Sequence, residues 1–172
     1  MPVYTHITHE EFVAQVQDLA TVIRADTAWI PSFLIGIGRG GLVPAVYLSH
    51  ATGLPMLSVD HSSQVAEFAD APLTRLAART RAGEKLLLVD DINDSGQTIA
   101  KLRAHLAEAD AVPGSVRFAT LIDNETSCQR VEYRARTIDR TFTKDWFVFP
   151  WEAVAPAASL EEDAAAVPSR IA

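Results

Sequence analysis

A chain of 172 residues, 48% hydrophobic and 22% charged, is long enough to bury one substantial core and has the charge content of an ordinary globular domain. Its net charge of −7 argues against broad electrostatic binding to nucleic acid or anionic lipid. No apolar run approaches the length of a bilayer span and no leader-like segment opens the chain, so it is read as a cytoplasmic protein without a membrane partner.

Thr8 and Glu11 form a capping-box pattern ahead of Phe12, Val16, Leu19, Ala20 and Ile23, which predicts a first, structural helix. Phe33 to Ile37 reads as a buried strand running into Gly38-Arg39-Gly40-Gly41, then a helix from about Leu42 to Ala51 closed by Gly53 and Pro55. Three glycines around one arginine expose backbone N–H groups beside a planar cationic fork, a combination suited to a diphosphate, although a tight strand-to-helix connection would look alike. Leu57 to Val59 is a short strand. The polar stretch from His61 to Glu84, with Thr74, Arg75, Arg79 and Arg81, is either a mobile functional loop or a concealed helix.

Leu86-Leu-Leu-Val89 carries no polar alternation, as in a parallel strand covered on both faces. It leads into Asp90-Asp91-Ile92-Asn93-Asp94-Ser95-Gly96-Gln97-Thr98, and Ile99, Leu102, Leu106 and Ala109 then recur at helical spacing. The loop therefore lies at a helix N-terminus, where free N–H groups attract a phosphate, Gly96 admits close approach, and Ser95 and Thr98 add uncharged donors. Asp90 and Asp91 would repel that phosphate. Their expected partners lie beside it, as vicinal hydroxyls or a divalent cation.

Pro113-Gly114 marks a turn before a further strand, Val116 to Ile122. From Asp123 to Asp145 periodicity is lost. Trp146-Phe147-Val148-Phe149-Pro150-Trp151-Glu152 is dense in aromatics, which usually means core packing. Residues 153–172 are alanine-rich, with Glu161-Glu162-Asp163, and are expected to be loosely packed or disordered. The lone Cys128 excludes an intramolecular disulfide and suits a reducing compartment, and His6 and His9 read as surface histidines. Alternating strands and helices predict an α/β fold with a central, mostly parallel sheet and ligands gathered above the strands' carboxyl ends.

The run from Leu86 to Thr98 resembles the phosphoribosyl-pyrophosphate (PRPP) signature of the type I phosphoribosyltransferases, and the Trp-x-x-x-Pro-Trp pattern at Trp146 to Trp151 resembles the 6-oxopurine members. The resemblance covers about residues 1–152. It implies the type I phosphoribosyltransferase fold, with a core of about residues 1–122, a small C-terminal hood of about 123–152, and a flexible lid within 61–84. In the same terms Asp90 and Asp91 bind the ribose hydroxyls and hold Mg2+ directly or through water and PRPP, and Asn93 borders the sugar. Asp94, Ser95, Gly96, Gln97 and Thr98 wrap the 5′-phosphate, with Asp94 as acid/base near the purine N7. Gly38, Gly40 and Gly41 form a pyrophosphate loop whose backbone includes a cis peptide, and Arg39 meets the leaving group. Trp146 stacks on the base and the main chain of Phe147 reads its edge. Where these relatives usually present a lysine to the 6-oxygen, this chain has Asp123-Asn124-Glu125-Thr126, and Asn124 is left as a hydrogen-bond donor. The implied function is transfer of phosphoribose from PRPP to xanthine, guanine or hypoxanthine, by a homo-oligomer (dimer or tetramer). A different nitrogenous base, or a non-catalytic nucleotide sensor, is the alternative.

Overall fold

A computed structural model of the chain describes residues 3–59 and 70–165. The elements in order are β1 (Tyr4–His6), α1 (His9–Ala25), β2 (Phe33–Ile37), α2 (Gly38–Thr52), β3 (Met56–Val59), α3 (Asp70–Arg81), β4 (Leu86–Asn93), α4 (Gln97–Glu108), β5 (Val116–Asn124), β6 (Tyr133–Ile138), β7 (Trp146–Val148) and α5 (Ala157–Ala165).

Five strands pair in the order β3-β2-β4-β5-β6, every pairing parallel, and β1 pairs in parallel with β7 in a second, two-stranded sheet. One face of the large sheet, with Leu34, Leu87, Val89, Ala119 and Leu121, packs on Phe12, Val16, Leu19 and Ile23 of α1 and on Ala45 and Leu48 of α2. The opposite face, with Ile35, Leu86, Leu88 and Phe118, packs on Leu73, Leu76 and Ala77 of α3 and on Ile99, Leu102 and Leu106 of α4. Helices on both faces explain why Leu86 to Val89 can be uninterrupted aliphatic: all four are essentially inaccessible, each contributing about 1.5–3 kcal/mol by removal from water.

The expected capping box is present. Thr8 Oγ1 accepts from the Glu11 N–H at 3.1 Å while Glu11 Oε2 accepts from the Thr8 N–H at 2.7 Å. Several boundaries differ from the sequence expectations. α2 begins at Gly38, so the glycine-rich segment is the helix's first turn rather than a loop ahead of it. β4 continues through Asn93, held by β5 in the registers Asp90↔Thr120, Ile92↔Ile122 and Asn93↔Asp123, so both acids stand on the strand. The polar stretch before β4 contains α3, because Leu73, Leu76 and Ala77 are buried at helical spacing. Arg79 there pairs with Glu84, and Arg81 donates to the carbonyls of Ala109 and Asp110. The remainder of the proposed lid, including His61, lies outside the described residues.

Part of the segment assigned to the hood belongs to the sheet. Asp123 and Asn124 end β5, and residues 133–138 add β6 as an edge strand. Ala157–Ala165, in the tail expected to be loose, forms the largely exposed α5 with Ala164 buried, as its alanine, leucine and glutamate content favours.

Candidate active site

The strand order places the site. From β2 the chain crosses to β3 on one side, and the next strand, β4, adds on the other, so the direction of winding reverses between β2 and β4. In open α/β sheets the crevice above such a reversal is where ligands collect. The Gly38 turn leaves β2 there, and the Asp90 to Thr98 run leaves β4 beside it.

Close packing joins the two segments. A Cβ at Gly41 would overlap the Val89 carbonyl oxygen, and one at Gly40 would lie 2.6 Å from Asp91 Oδ2. The first turn of α2 therefore sits directly on the acidic end of β4, and only glycine admits that approach. Gly38 has φ 52°, and all described peptide bonds are trans, so the cis peptide implied by the resemblance is absent. Arg39 is exposed at the head of α2.

Asp90 and Asp91 are half-buried, and their carboxylates fold back onto the next N–H: Asp91 N–H donates to Asp90 Oδ1 at 3.1 Å, and Ile92 N–H to Asp91 Oδ1 at 2.7 Å. Burial, then the neighbouring charge of Asp91, pushes the Asp90 carboxyl well above the usual range. Burial, then the charge of Glu152, pushes Asp91 up to about 7. Glu152 is itself raised by burial, although its bond from the Phe149 N–H and the charge of Arg39 favour the ionised form. Two adjacent carboxyls whose ionisation is disfavoured by burial form a site that gains from a cation or a set of hydroxyl donors.

The turn after β4 opens α4 through Gly96. Gly96, with φ 86°, precedes α4, and no side chain caps that helix, apart from a 3.3 Å bond from Gln97 N–H to Ser95 Oγ within the turn. A Cβ at Gly96 would strike Ser127 Oγ, Gln129 N and Cys128 Sγ, all within 2.8 Å, so the 127–129 segment forms the wall behind the turn. Ser95 and Gln97 are exposed and Thr98 is half-buried.

Asn93 and Asn124 are engaged by the protein. Asn93 Nδ2 donates to Asp123 Oδ1 at 2.7 Å and to the Gln129 carbonyl at 2.8 Å, and its Oδ1 accepts from Ser127 Oγ. Asn124 Nδ2 donates to the Asp94 carbonyl at 2.8 Å, while its Oδ1 accepts from Thr126 and from the Arg140 N–H. Both side chains shape the turn from behind. Asp94 receives the Arg140 guanidinium, with Nε 2.9 Å from Oδ1.

Trp146 opens β7 half-buried, in register with Tyr4, and its N–H donates to the Val3 carbonyl at 2.7 Å. Phe147 is buried, with the Arg140 guanidinium 5.1 Å and that of Arg136 5.5 Å from its ring centroid. Phe149 and Trp151 stack at 4.8 Å, and Trp151 meets Phe12 edge-on, as core packing predicts. Arg140 and Glu152 are the groups that sequence reasoning missed. Arg140 was one of several arginines in an aperiodic stretch, and Glu152 closed an aromatic run with no sign that it faces Asp91.

A cavity of about 210 Å³ between Ile23, Ile30, Pro31 and Leu54 lies at the opposite end of β2 from the Gly38 turn. Among the described residues no helix is long and apolar enough to cross a membrane.

Comparison with known proteins identifies the family and the fold. Over 125 residues the chain is 28% identical to the xanthine-guanine phosphoribosyltransferase of Idiomarina loihiensis, covering 69% of this chain and 70% of that protein. Its fold matches a Neisseria gonorrhoeae protein solved with bound ppGpp (TM-score 0.68, 20% identity, 96% and 98% of the two chains). It also matches the xanthine-guanine-hypoxanthine phosphoribosyltransferase of Helicobacter pylori (TM-score 0.66, 17% identity, 94% and 99%). The phosphoribosyl transferase domain model matches residues 4–156, the span that holds both glycine turns, the acidic strand end and the β1–β7 pair, and the chain belongs to that family.

Proposed function

We propose that this chain transfers the 5-phosphoribosyl group of PRPP to a purine base, xanthine, guanine or hypoxanthine, with release of pyrophosphate and formation of a nucleoside 5′-monophosphate. The observation that carries the reading is the junction above β2 and β4, where two glycine-bearing helix starts flank a pair of desolvated carboxyls. Family membership and the names of the relatives support it.

When the bond between the anomeric carbon and the pyrophosphate oxygen breaks, the electron pair leaves on pyrophosphate and positive charge develops on the ribose ring. The N–H groups at the head of α2 and the Arg39 guanidinium receive the departing anion, while Asp90 and Asp91 hold the ribose hydroxyls and offset the ring charge. The 5′-phosphate rests on the Ser95 to Thr98 turn. A purine nitrogen stacked on Trp146 forms the new bond to the anomeric carbon, and the proton it sheds passes to Asp94.

The donor set fits magnesium. Asp90 and Asp91 stand side by side at the end of β4 as hard oxygen donors of the kind magnesium takes, in surroundings where a counter-charge favours their ionised forms. Bound there, the ion supplies Lewis-acid neutralisation of the pyrophosphate.

Position 123 carries a buried aspartate that accepts from Asn93, so no cation meets a 6-oxo group from the end of β5, and the Phe147 main chain remains as the reader of the base edge. A cytoplasmic homo-oligomer, dimer or tetramer, belongs to the same proposal. The exposed Leu42, Val46 and Tyr47 on α2 support an interface, and sedimentation tests it. The main experiment is pyrophosphate release from PRPP and magnesium across xanthine, guanine, hypoxanthine, adenine, uracil and orotate. Turnover is expected with a 6-oxopurine. Tight PRPP binding with silence toward every base would replace the enzyme reading with that of a nucleotide sensor.

A further inference from the structure

Arg140 is 9% exposed. Its Nε donates to Asp94 Oδ1 at 2.9 Å and its Nη2 reaches Asp94 Oδ2 at 3.5 Å. Its Nη1 donates to the carbonyls of Thr143 at 3.1 Å and Asp145 at 2.7 Å. Its own N–H donates to Asn124 Oδ1, and Asn124 in turn donates to the Asp94 carbonyl. One guanidinium thus spans the turn after β4 and the chain immediately before Trp146. A buried cation is costly unless each of its donors is used, and here the fork serves a carboxylate on one side and two carbonyls on the other. Lysine, with a single nitrogen and no planar fork, cannot hold both sides in one geometry.

We propose that Arg140 is a positioning residue for phosphoribosyl transfer: it fixes the Asp94 carboxylate relative to the Trp146 strand, so that the group receiving the base's proton and the surface stacking on the base are set as one unit. This rests on the purine-transferase reading and on Asp94 as the proton acceptor. The sugar-phosphate contacts are Asp90, Asp91 and the Ser95 to Thr98 turn, whereas the Arg140 bonds run to Asp94, Asn124, Thr143 and Asp145.

The test is a double-mutant cycle of Arg140→Met and Asp94→Asn in the full chain, with Arg140→Lys as the conservative variant and thermal melting as the control for folding. Arg140→Met is expected to lower kcat with a 6-oxopurine about 100-fold and to weaken calorimetric binding of a purine mononucleotide about 10-fold, with ribose 5-phosphate binding within twofold of wild type. Arg140→Lys is expected to recover part of kcat. In the Asp94→Asn background Arg140→Met should cost kcat no more than about threefold further. Equal losses in both backgrounds, equal losses of ribose 5-phosphate and nucleotide binding, or wild-type kcat in Arg140→Lys would each overturn the proposal. Should Arg140→Met not fold, the same cycle with Arg140→Lys decides. A wild-type chain that turns over no purine would instead refute the functional reading, with the ligand-binding arms still reporting on Arg140.

Discussion

Between Val89 and Thr98 the groups proposed to hold the sugar phosphate lie in one uninterrupted run, whereas those proposed to hold the base are assembled from separate places. Arg140 reaches Asp94, and Trp146 is placed by a strand from the beginning of the chain. The first region draws its geometry from the central strand of the large sheet, the second from ion pairs and short edge contacts. A strand end of this kind tolerates little change in shape, while the base side can be altered one contact at a time.

The largest effect is expected from Asp90→Asn with Asp91→Asn, which should weaken PRPP binding at least 100-fold by calorimetry, about 3 kcal/mol, with the fold intact. Retained affinity would break the comparison by moving the sugar elsewhere. Gly41→Ala comes next: its methyl group meets the Val89 main chain, which cannot swing aside, and a loss of about 2–3 kcal/mol is expected in urea unfolding. A neutral Gly41→Ala would show that the strand end is less rigid than its packing implies.

A smaller effect concerns pH. Asp91 keeps its proton in the folded chain up to about 7, whereas in the unfolded chain it ionises near 4. The folded state therefore binds the extra proton, and this group's contribution to ligand-free stability falls as pH rises from about 4 to about 7. Relative to Asp91→Asn, wild type should lose stability across that window, a difference in sign that melting curves at pH 4.5 and pH 8 would measure. The smallest effect belongs to the base side: Trp146→Ala should raise the base KM roughly 10-fold, about 1–2 kcal/mol, with PRPP affinity unchanged. Loss of both affinities together would merge the two regions into one.

The same contrast governs what could be read from residues alone. The aliphatic run, the acid pair and the Ser95-Gly96 turn are local patterns, and together they mark the body and the carboxyl end of one buried strand. α3 was obscured because its buried face has just three apolar residues among those described, Leu73, Leu76 and Ala77, beside the buried Thr80 and amid arginines. β6 escaped because an edge strand with two fully buried positions, Tyr133 and Ile138, carries almost no alternation. β1 and β7 have three residues each and define one another only by pairing across the length of the chain. The partners of Asn93, Asn124 and Arg140 are likewise long-range: residue type suggests ligands where the fold uses the two amides to shape the turn, and nothing in the residues around Arg140 signals its pairing with Asp94.

The pairing of Tyr4–His6 with Trp146–Val148, reinforced by Thr5 Oγ1 on Asp145 Oδ2 at 2.5 Å, has a practical consequence. The first strand is a splint for the aromatic shelf, so trimming Val3 to His6, or welding a rigid fusion directly onto them, should slacken purine recognition from the far end of the polypeptide while leaving the phosphate cradle untouched.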